Sequence, residues 1–267
     1  MTDGRKKTIC SVLLLIGIVT LPVHTCDYTS DTVRKQSQAL LEIPRQLHAR
    51  DAQIIVHIGY VVSYNCAWRL PNWVAYELTR NEVDGTEPRS NFFKPDPEVP
   101  PSCSAEWNDY RRSGFDRGHM APAGDMKWSR QAMEESFYLS NICPQNHELN
   151  AGKWNEIEQL VRRWARESGK AYVVCGPIVE DDHATIGANR VAVPSAFFKV
   201  VLRQKAGTWQ GIAFKCDNIS DQRTVSSYAI SIDSAEQLTG IDFFPLLPDK
   251  IEKAVERTFD TRAWKGI

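Results

Sequence analysis

Runs of β-branched and aromatic residues set the first constraint on this chain, because they come in groups. "QIIVHIGYVVSYN" (53–65) and "NWVAYELT" (72–79) form one group; "KAYVVCGPIV" (170–179), "SAFFKVVLR" (195–203) and "TWQGIAFKCDN" (208–218) form another. Each reads as a strand, and the first as one strand or a hairpin. Between the groups, "LNAGKWNEIEQLVRRWARES" (149–168) places Trp154, Ile157, Leu160, Val161 and Trp164 at the spacing of an amphipathic helix. "SFYLSNICPQN" (136–146) is short and strand-like, and helical stretches close the chain within residues 234–257. A one-to-one alternation of strand and helix is excluded, and with it a doubly wound parallel sheet. The pattern predicts one α+β domain, a central, mostly antiparallel sheet flanked by helices. Pro88, Pro95, Pro97, Pro100 and Pro101 make residues 81–104 a long irregular loop.

The first residues read differently from the rest. Arg5, Lys6 and Lys7 precede the uncharged apolar run Ile9–Leu21. That run is short for a bilayer span of about 20 residues and suits the core of a secretory signal. Residues 1–25 are expected to be a signal peptide, 26–50 a linker and 51–267 the domain. An exported protein follows, whether secreted, periplasmic or surface-anchored, with no stable membrane span after cleavage. A lipid-modified Cys26 and an uncleaved anchor stay open. Cleavage removes three bases and one acid and turns the formal charge from −1 to −3. A mildly acidic protein is no non-specific nucleic-acid coat, so any nucleic-acid contact has to be local and transient. None of the seven cysteines forms a CxxC pair, which argues against a structural zinc site. Cys175 sits in an apolar run as a buried free thiol. An exported protein could pair some of the others, in a connectivity that spacing does not reveal.

"SGFDRGHMAPAGD" (113–125) packs Asp116, Arg117 and His119 around Gly118. Phosphodiester hydrolysis needs a water, a base to take its proton, and positive charge for the transition state. An imidazole titrates near neutrality and suits the base. Oxygen ligands would suit Mg²⁺. "HEL" at 147–149 is no zinc-protease motif, since position 151 is Ala and no second histidine follows. Asn150 and Glu158 lie about 12 Å apart along an ideal helix and about 80° round it. They are too distant for both to touch one ion, and Asn150 also reads as a helix cap.

"DRGHMAPAGD" (116–125), "FYLSNICPQNHELNAGKW" (137–154) and Glu158, in that order and spacing, resemble the DNA/RNA non-specific endonuclease family, which has the ββα-metal or His-Me finger site. It includes mitochondrial endonuclease G and secreted bacterial nucleases. "PRSNFFKPDP" (88–97), "CGPI" (175–178), "VPSAFFKVVL" (193–202) and "TGIDFFP" (239–245) extend the resemblance over roughly residues 50–262. It implies a Mg²⁺-dependent, sugar-non-specific endonuclease, with Mn²⁺ substituting for Mg²⁺, that acts on DNA and RNA and leaves 5′-phosphate and 3′-hydroxyl ends. His119 would be the general base. Asn150 would be the sole direct protein ligand of the ion, and Glu158 would hold waters around it. Arg89 would contact the scissile phosphate and Arg117 would neutralise charge beside the histidine. Asn141 would fix the local geometry, and Arg162 would support Glu158 or the phosphate. A homodimer is possible in this family.

Asp116 is expected to pin the turn, Trp154 to be core, His57 to be a satisfied structural histidine and His147 to have no role. Asn218-Ile219-Ser220 matches a glycosylation acceptor. Contacts to phosphate carry little sequence information, and salt should weaken them. A catalytically silent nucleic-acid-binding protein and a hydrolase of small phosphodiesters are the alternatives.

Overall fold

The structure, a computed structural model, describes residues 40–267 except Gln222. The signal expected at 1–25 and most of the expected linker lie outside these residues. Strands β1 (Arg45–Gln46), β2 (Gln53–Val56), β3 (Val61–Asn65) and β4 (Leu70–Thr79) come first. Short helical turns α1 (Arg80–Val83) and α2 (Trp107–Tyr110) follow, then β5 (Asp116–His119), α3 (Arg130–Glu135) and β6 (Ile142–Gln145). The long helix α4 (Asn155–Ser168) leads to β7 (Lys170–Ile178), β8 (Thr185–Ile186), β9 (Val191–Ala192), β10 (Ala196–Lys205) and β11 (Thr208–Asp217). The chain closes with β12 (Ala229–Ile230), α5 (Ile232–Thr239), β13 (Ile241–Asp242) and α6 (Asp249–Arg257).

Seven strands form the main sheet in the order β12–β11–β10–β7–β4–β3–β2. Every neighbouring pair in it is antiparallel. The run 53–65 is a hairpin, β2 and β3. Side chains alternate between the two faces of a strand, and β10 shows what each face covers. Phe197 and Val201 pack in one core cluster with Ile157, Leu160, Val161 and Trp164 of α4. Phe198, Val200 and Leu202 pack in another with Ile232 and Ala235 of α5 and Val255 of α6. The sheet thus has α4 on one face and α5 and α6 on the other. Each of the Phe, Leu, Ile and Val side chains among these contributes about 1.5–3 kcal/mol by leaving water.

Three features depart from the sequence reading. One compact unit spans Leu40–Ile267, and residues 45–46, expected in a linker, form β1 against β13. Leu41 and Ile43 pack on the second core, and that burial draws the segment onto the domain. Residues 81–104 are irregular, as expected, but the turn α1 opens the loop, with a capping box between Thr79 and Glu82. Residues 149–168 are not one α-helix: Leu149–Trp154 form a π-helical turn before α4 begins. A disulfide joins Cys66 to Cys103 and clips the proline-rich loop to the end of the β3 hairpin. Cys143, Cys175 and Cys216 are buried free thiols, as expected for Cys175. Among the described residues no helix is long and apolar enough to cross a membrane.

Candidate active site

β5 and β6 form a separate two-stranded ladder in which Asp116 faces Gln145 and His119 faces Ile142. The π-turn and α4 follow β6, so two strands and a helix make a ββα unit. Gly118 is required here: a Cβ on it would lie 2.1 Å from Gln145 Oε1. Two side chains of the π-turn fasten the helix to β5. Asn150 Nδ2 donates to Asp116 Oδ2 at 2.9 Å, and Trp154 Nε1 donates to the His119 carbonyl at 3.2 Å. The expected sites at residues 119 and 150 therefore belong to one hydrogen-bonded unit. The local wider turn is the shape of helix that this double anchoring imposes, and π-turns of this kind recur at functional sites.

Asn150 is not the cap of this helix. That position falls to Asn146, whose Oδ1 accepts from the backbone N–H groups of Glu148 and Leu149 at 3.0 and 3.2 Å. The amide of Asn150 has a fixed sense. An ionised carboxylate only accepts, so the nitrogen must face Asp116 and the oxygen is turned away from it. That oxygen is a hard donor of the kind Mg²⁺ takes. Asp116 also contacts His147 Nδ1 through the same oxygen at 2.9 Å, which gives His147 a structural partner the sequence did not suggest. Asp116 holds the amide that the sequence reading singled out, as well as the turn.

His119 is buried between two phenyl rings. Its ring lies 4.8 Å from Phe137 in an edge contact and 5.4 Å from Phe93, centroid to centroid. Its Nε2 is buried without a hydrogen-bond partner. Burial, then Arg89 and Arg117, push the imidazole down to about 3, so it is neutral at physiological pH and can accept a proton. Both arginines are held by aromatic faces. The Arg89 guanidinium sits 5.1 Å over Phe137, and its Nε donates to Asn91 Oδ1 at 2.8 Å. Arg117 sits 4.7 Å over Phe93 and 5.8 Å over Trp107, with its Nε buried and unpartnered. Stacking fixes the planes of two cations beside a neutral imidazole.

Asn141 is fully buried and organises the backbone after His119. Its Nδ2 donates to the carbonyls of Ala121 and Ser136, and its Oδ1 accepts from Ala121 N–H, each at 2.8 Å. Glu158 lies in the first turn of α4. Burial, then Asp125, raise its carboxyl to about 7, against the pull of Lys199, Arg162 and Arg89. Arg162 does not reach for Glu158 as its hydrogen-bond partner. Its Nη1 donates to Asp125 Oδ1 at 2.7 Å in a buried ion pair, and Tyr76 Oη donates to the other oxygen at 2.9 Å. A carboxylate with no exposed surface captures the nearest guanidinium because an unpaired charge there is costly. Gly124 leaves the room: a Cβ there would lie 2.8 Å from Arg162 Nη1.

The sequence reading passed over Lys199. It is fully buried on β10, 3.5 Å from the Met120 carbonyl and 4.4 Å over the Trp154 ring. Its signal was a lone charge inside "AFFKVVL", a run otherwise apolar on both faces. Trp154 is core, as expected, and His57 is satisfied by Asp96 at 2.9 Å. The Asn218 amide donates to the carbonyls of Pro144 and Pro194 and accepts from Asn146 N–H. It ties the end of β6 in place and is too enclosed to accept a glycan.

Comparison with known proteins fits this geometry. A profile of the family described as DNA/RNA non-specific endonuclease matches residues 43–250. The mitochondrial nuclease EXOG of Xenopus laevis is 41% identical over 207 residues, covering 72% of this chain and 58% of the relative. Human mitochondrial EXOG is 36% identical over 223 residues, covering 77% and 58%. Human mitochondrial endonuclease G is 34% identical over 208 residues, covering 73% and 70%. The chain thus spans less than two thirds of the length of these EXOG relatives. A crystal structure described as the EndoG/EndoGI complex superposes with a TM-score of 0.70 at 33% identity, over 76% of this chain and 89% of that one. The relatives' names overturn the export expected from the first residues, because these nucleases are mitochondrial. On the family profile and these identities, the chain belongs to the DNA/RNA non-specific endonuclease family.

Proposed function

We propose that the chain is a metal-dependent endonuclease that hydrolyses phosphodiester bonds in DNA and RNA, leaving 5′-phosphate and 3′-hydroxyl ends. The observation that carries this reading is the shared anchoring of β5: it bears the neutral, unpartnered imidazole of His119 and holds the amide of Asn150 in one sense. His119 takes the proton from the attacking water, and arrival of a phosphate offsets the two cations that add to burial in keeping the imidazole neutral. Asn150 would hold Mg²⁺ through its amide oxygen, with Mn²⁺ able to replace it. The ion, when bound, supplies positive charge at the phosphate and the departing oxygen. Glu158 orders water at the same place from the same helix. Arg89 and Arg117 bind the phosphate with planes preset by Phe137, Phe93 and Trp107. Asn141 keeps the segment after His119 in place, and Arg162 keeps Asp125 neutralised beneath Glu158. The names of the relatives support a mitochondrial location.

Plasmid DNA, RNA and a small diester incubated with Mg²⁺ test the reading. Plasmid and RNA should be cut, chelator should stop cleavage, and His119→Ala should lower the rate about 10²–10⁴-fold. Retention of plasmid in a gel without cleavage would identify a binding protein instead. Turnover of the small diester alone would identify a different hydrolase.

A further inference from the structure

A second concentration of charge lies on the α5/α6 face of the sheet. Asp233 and Glu236 from α5, Asp242 from β13, and Glu252 and Glu256 from α6 converge there. Carboxylate oxygens of Asp233, Glu236 and Glu256 lie within 4.8 Å of one another, and so do those of Asp242, Glu252 and Glu256. Glu256 belongs to both sets. It is only 7% exposed, and its Oε1 is buried with no hydrogen-bond partner.

The local charge balance does not account for this. Arg45 pairs with Asp242, and Arg45 and Lys253 act on Glu252. Glu236 Oε1 accepts from Phe243 N–H at 2.8 Å. None of these interactions reaches the orphaned oxygen of Glu256. Glu256 also stands in the last turn of α6, where the helix dipole opposes an anion. A buried carboxylate oxygen with no donor is strongly unfavourable, and four like charges around it make it more so. Either protons or a cation must fill the space.

Two oxygens on one Ca²⁺, each at about 2.3–2.6 Å, stand at most about 5 Å apart, and both sets meet that limit. Ca²⁺ takes six to eight oxygens in flexible geometry, with carboxylates binding through one or both atoms, whereas Mg²⁺ keeps its waters and demands an octahedron. Three carboxylates from two helices, Asp233 and Glu236 of α5 and Glu256 of α6, with room for water and for two-atom binding, suit the larger ion. We propose that Glu256, with Asp233 and Glu236, forms a binding site for a hard divalent cation of the Ca²⁺ class that fastens α5 to α6. Protons are the competing occupants, since burial and the neighbouring carboxylates raise Glu256 to about 8 without an ion.

The test compares the full-length wild type with Glu256→Gln in excess Mg²⁺ at mildly alkaline pH, with and without added Ca²⁺. The wild type should bind one more radiolabelled Ca²⁺ per chain than the variant in equilibrium dialysis. Saturating Ca²⁺ should raise its Tm by about 5 °C. Glu256→Gln should show no rise, should melt no lower than wild type in chelator because a like charge has gone, and should keep nuclease activity. The double variant Asp233→Asn, Glu236→Gln gives the same reading should the single variant fail to fold. An equal Ca²⁺ response in wild type and variant, or none in wild type, would overturn the site and leave protons as the occupants.

Discussion

Asn150 Nδ2 and Asp116 Oδ2 are 2.9 Å apart, and on the proposed function that bond decides which atom of the amide an ion would meet. Partners of this kind typically change metal affinity about 10–100-fold when removed. Asp116→Ala should therefore raise the Mg²⁺ concentration needed for half-maximal plasmid cleavage by at least about tenfold, with a smaller effect on the rate at saturation. A Mg²⁺ titration equal to wild type would mean that the amide holds its sense without Asp116.

The pH profile should report Glu158 and not His119. The imidazole, held down at about 3, is already neutral throughout the working range. The Glu158 carboxyl, raised to about 7, is protonated below that pH and charged above it. At low Mg²⁺, kcat/KM should fall as pH drops through about 7. A cation beside a carboxylate favours the charged form, so more Mg²⁺ should move that limb to lower pH. The limb should vanish in Glu158→Gln. A limb that survives that substitution would assign it to another group.

Among the neighbouring cations, Lys199 pulls the Glu158 carboxyl down most strongly. Lys199→Met keeps the length of the side chain and removes the charge. The acid limb should then move to higher pH while urea denaturation shows wild-type stability or better, because a buried charge has been exchanged for an apolar group. An unmoved limb with lowered stability would make Lys199 a packing residue only.

Arg162→Ala strands the carboxylate of Asp125, which has no exposed surface of its own. Breaking a buried pair on one side costs about 3–5 kcal/mol, so the urea midpoint should fall markedly. Arg130→Ala, which removes an exposed i,i+4 pair with Glu134, should leave it almost unchanged. Equal effects from both would show that the Asp125 pair is no anchor.

The Cys66–Cys103 link closes a loop with a sequence separation of 37. On the chain-entropy account, Cys103→Ser should cost about 4 kcal/mol. Denaturation of wild type with and without reductant measures the same quantity, and no reductant effect would refute it.

The parts of this molecule visible in its sequence are those set by local pattern. Strand groups, the α4 stripe from Ile157 to Trp164 and the spacing of His119, Asn150 and Glu158 are all legible in one dimension. The rest depends on which groups the fold makes neighbours. The resemblance gives Arg162 to Glu158 or the phosphate, and neither reading foresees Asp125, 37 residues away in the chain, which takes a hydrogen bond from its guanidinium. Asn150 looked like a cap until Asn146 proved to hold that place. The π-turn has no residue signature; it follows from fastening Asn150 and Trp154 to opposite ends of β5. Burial of Lys199 was hinted at by its apolar surroundings, and only the sheet's alternation shows which face it points to.

Those two fastenings also limit how this site can adapt to what enters it. A helix riveted at residues 150 and 154 to a four-residue strand cannot slide or roll without dragging the end that carries His119 along. On the proposed function, tolerance for different nucleic acids would then come from what the substrates have in common, a repeating sugar–phosphate spine, and not from a pliant cleft that reshapes itself around each one.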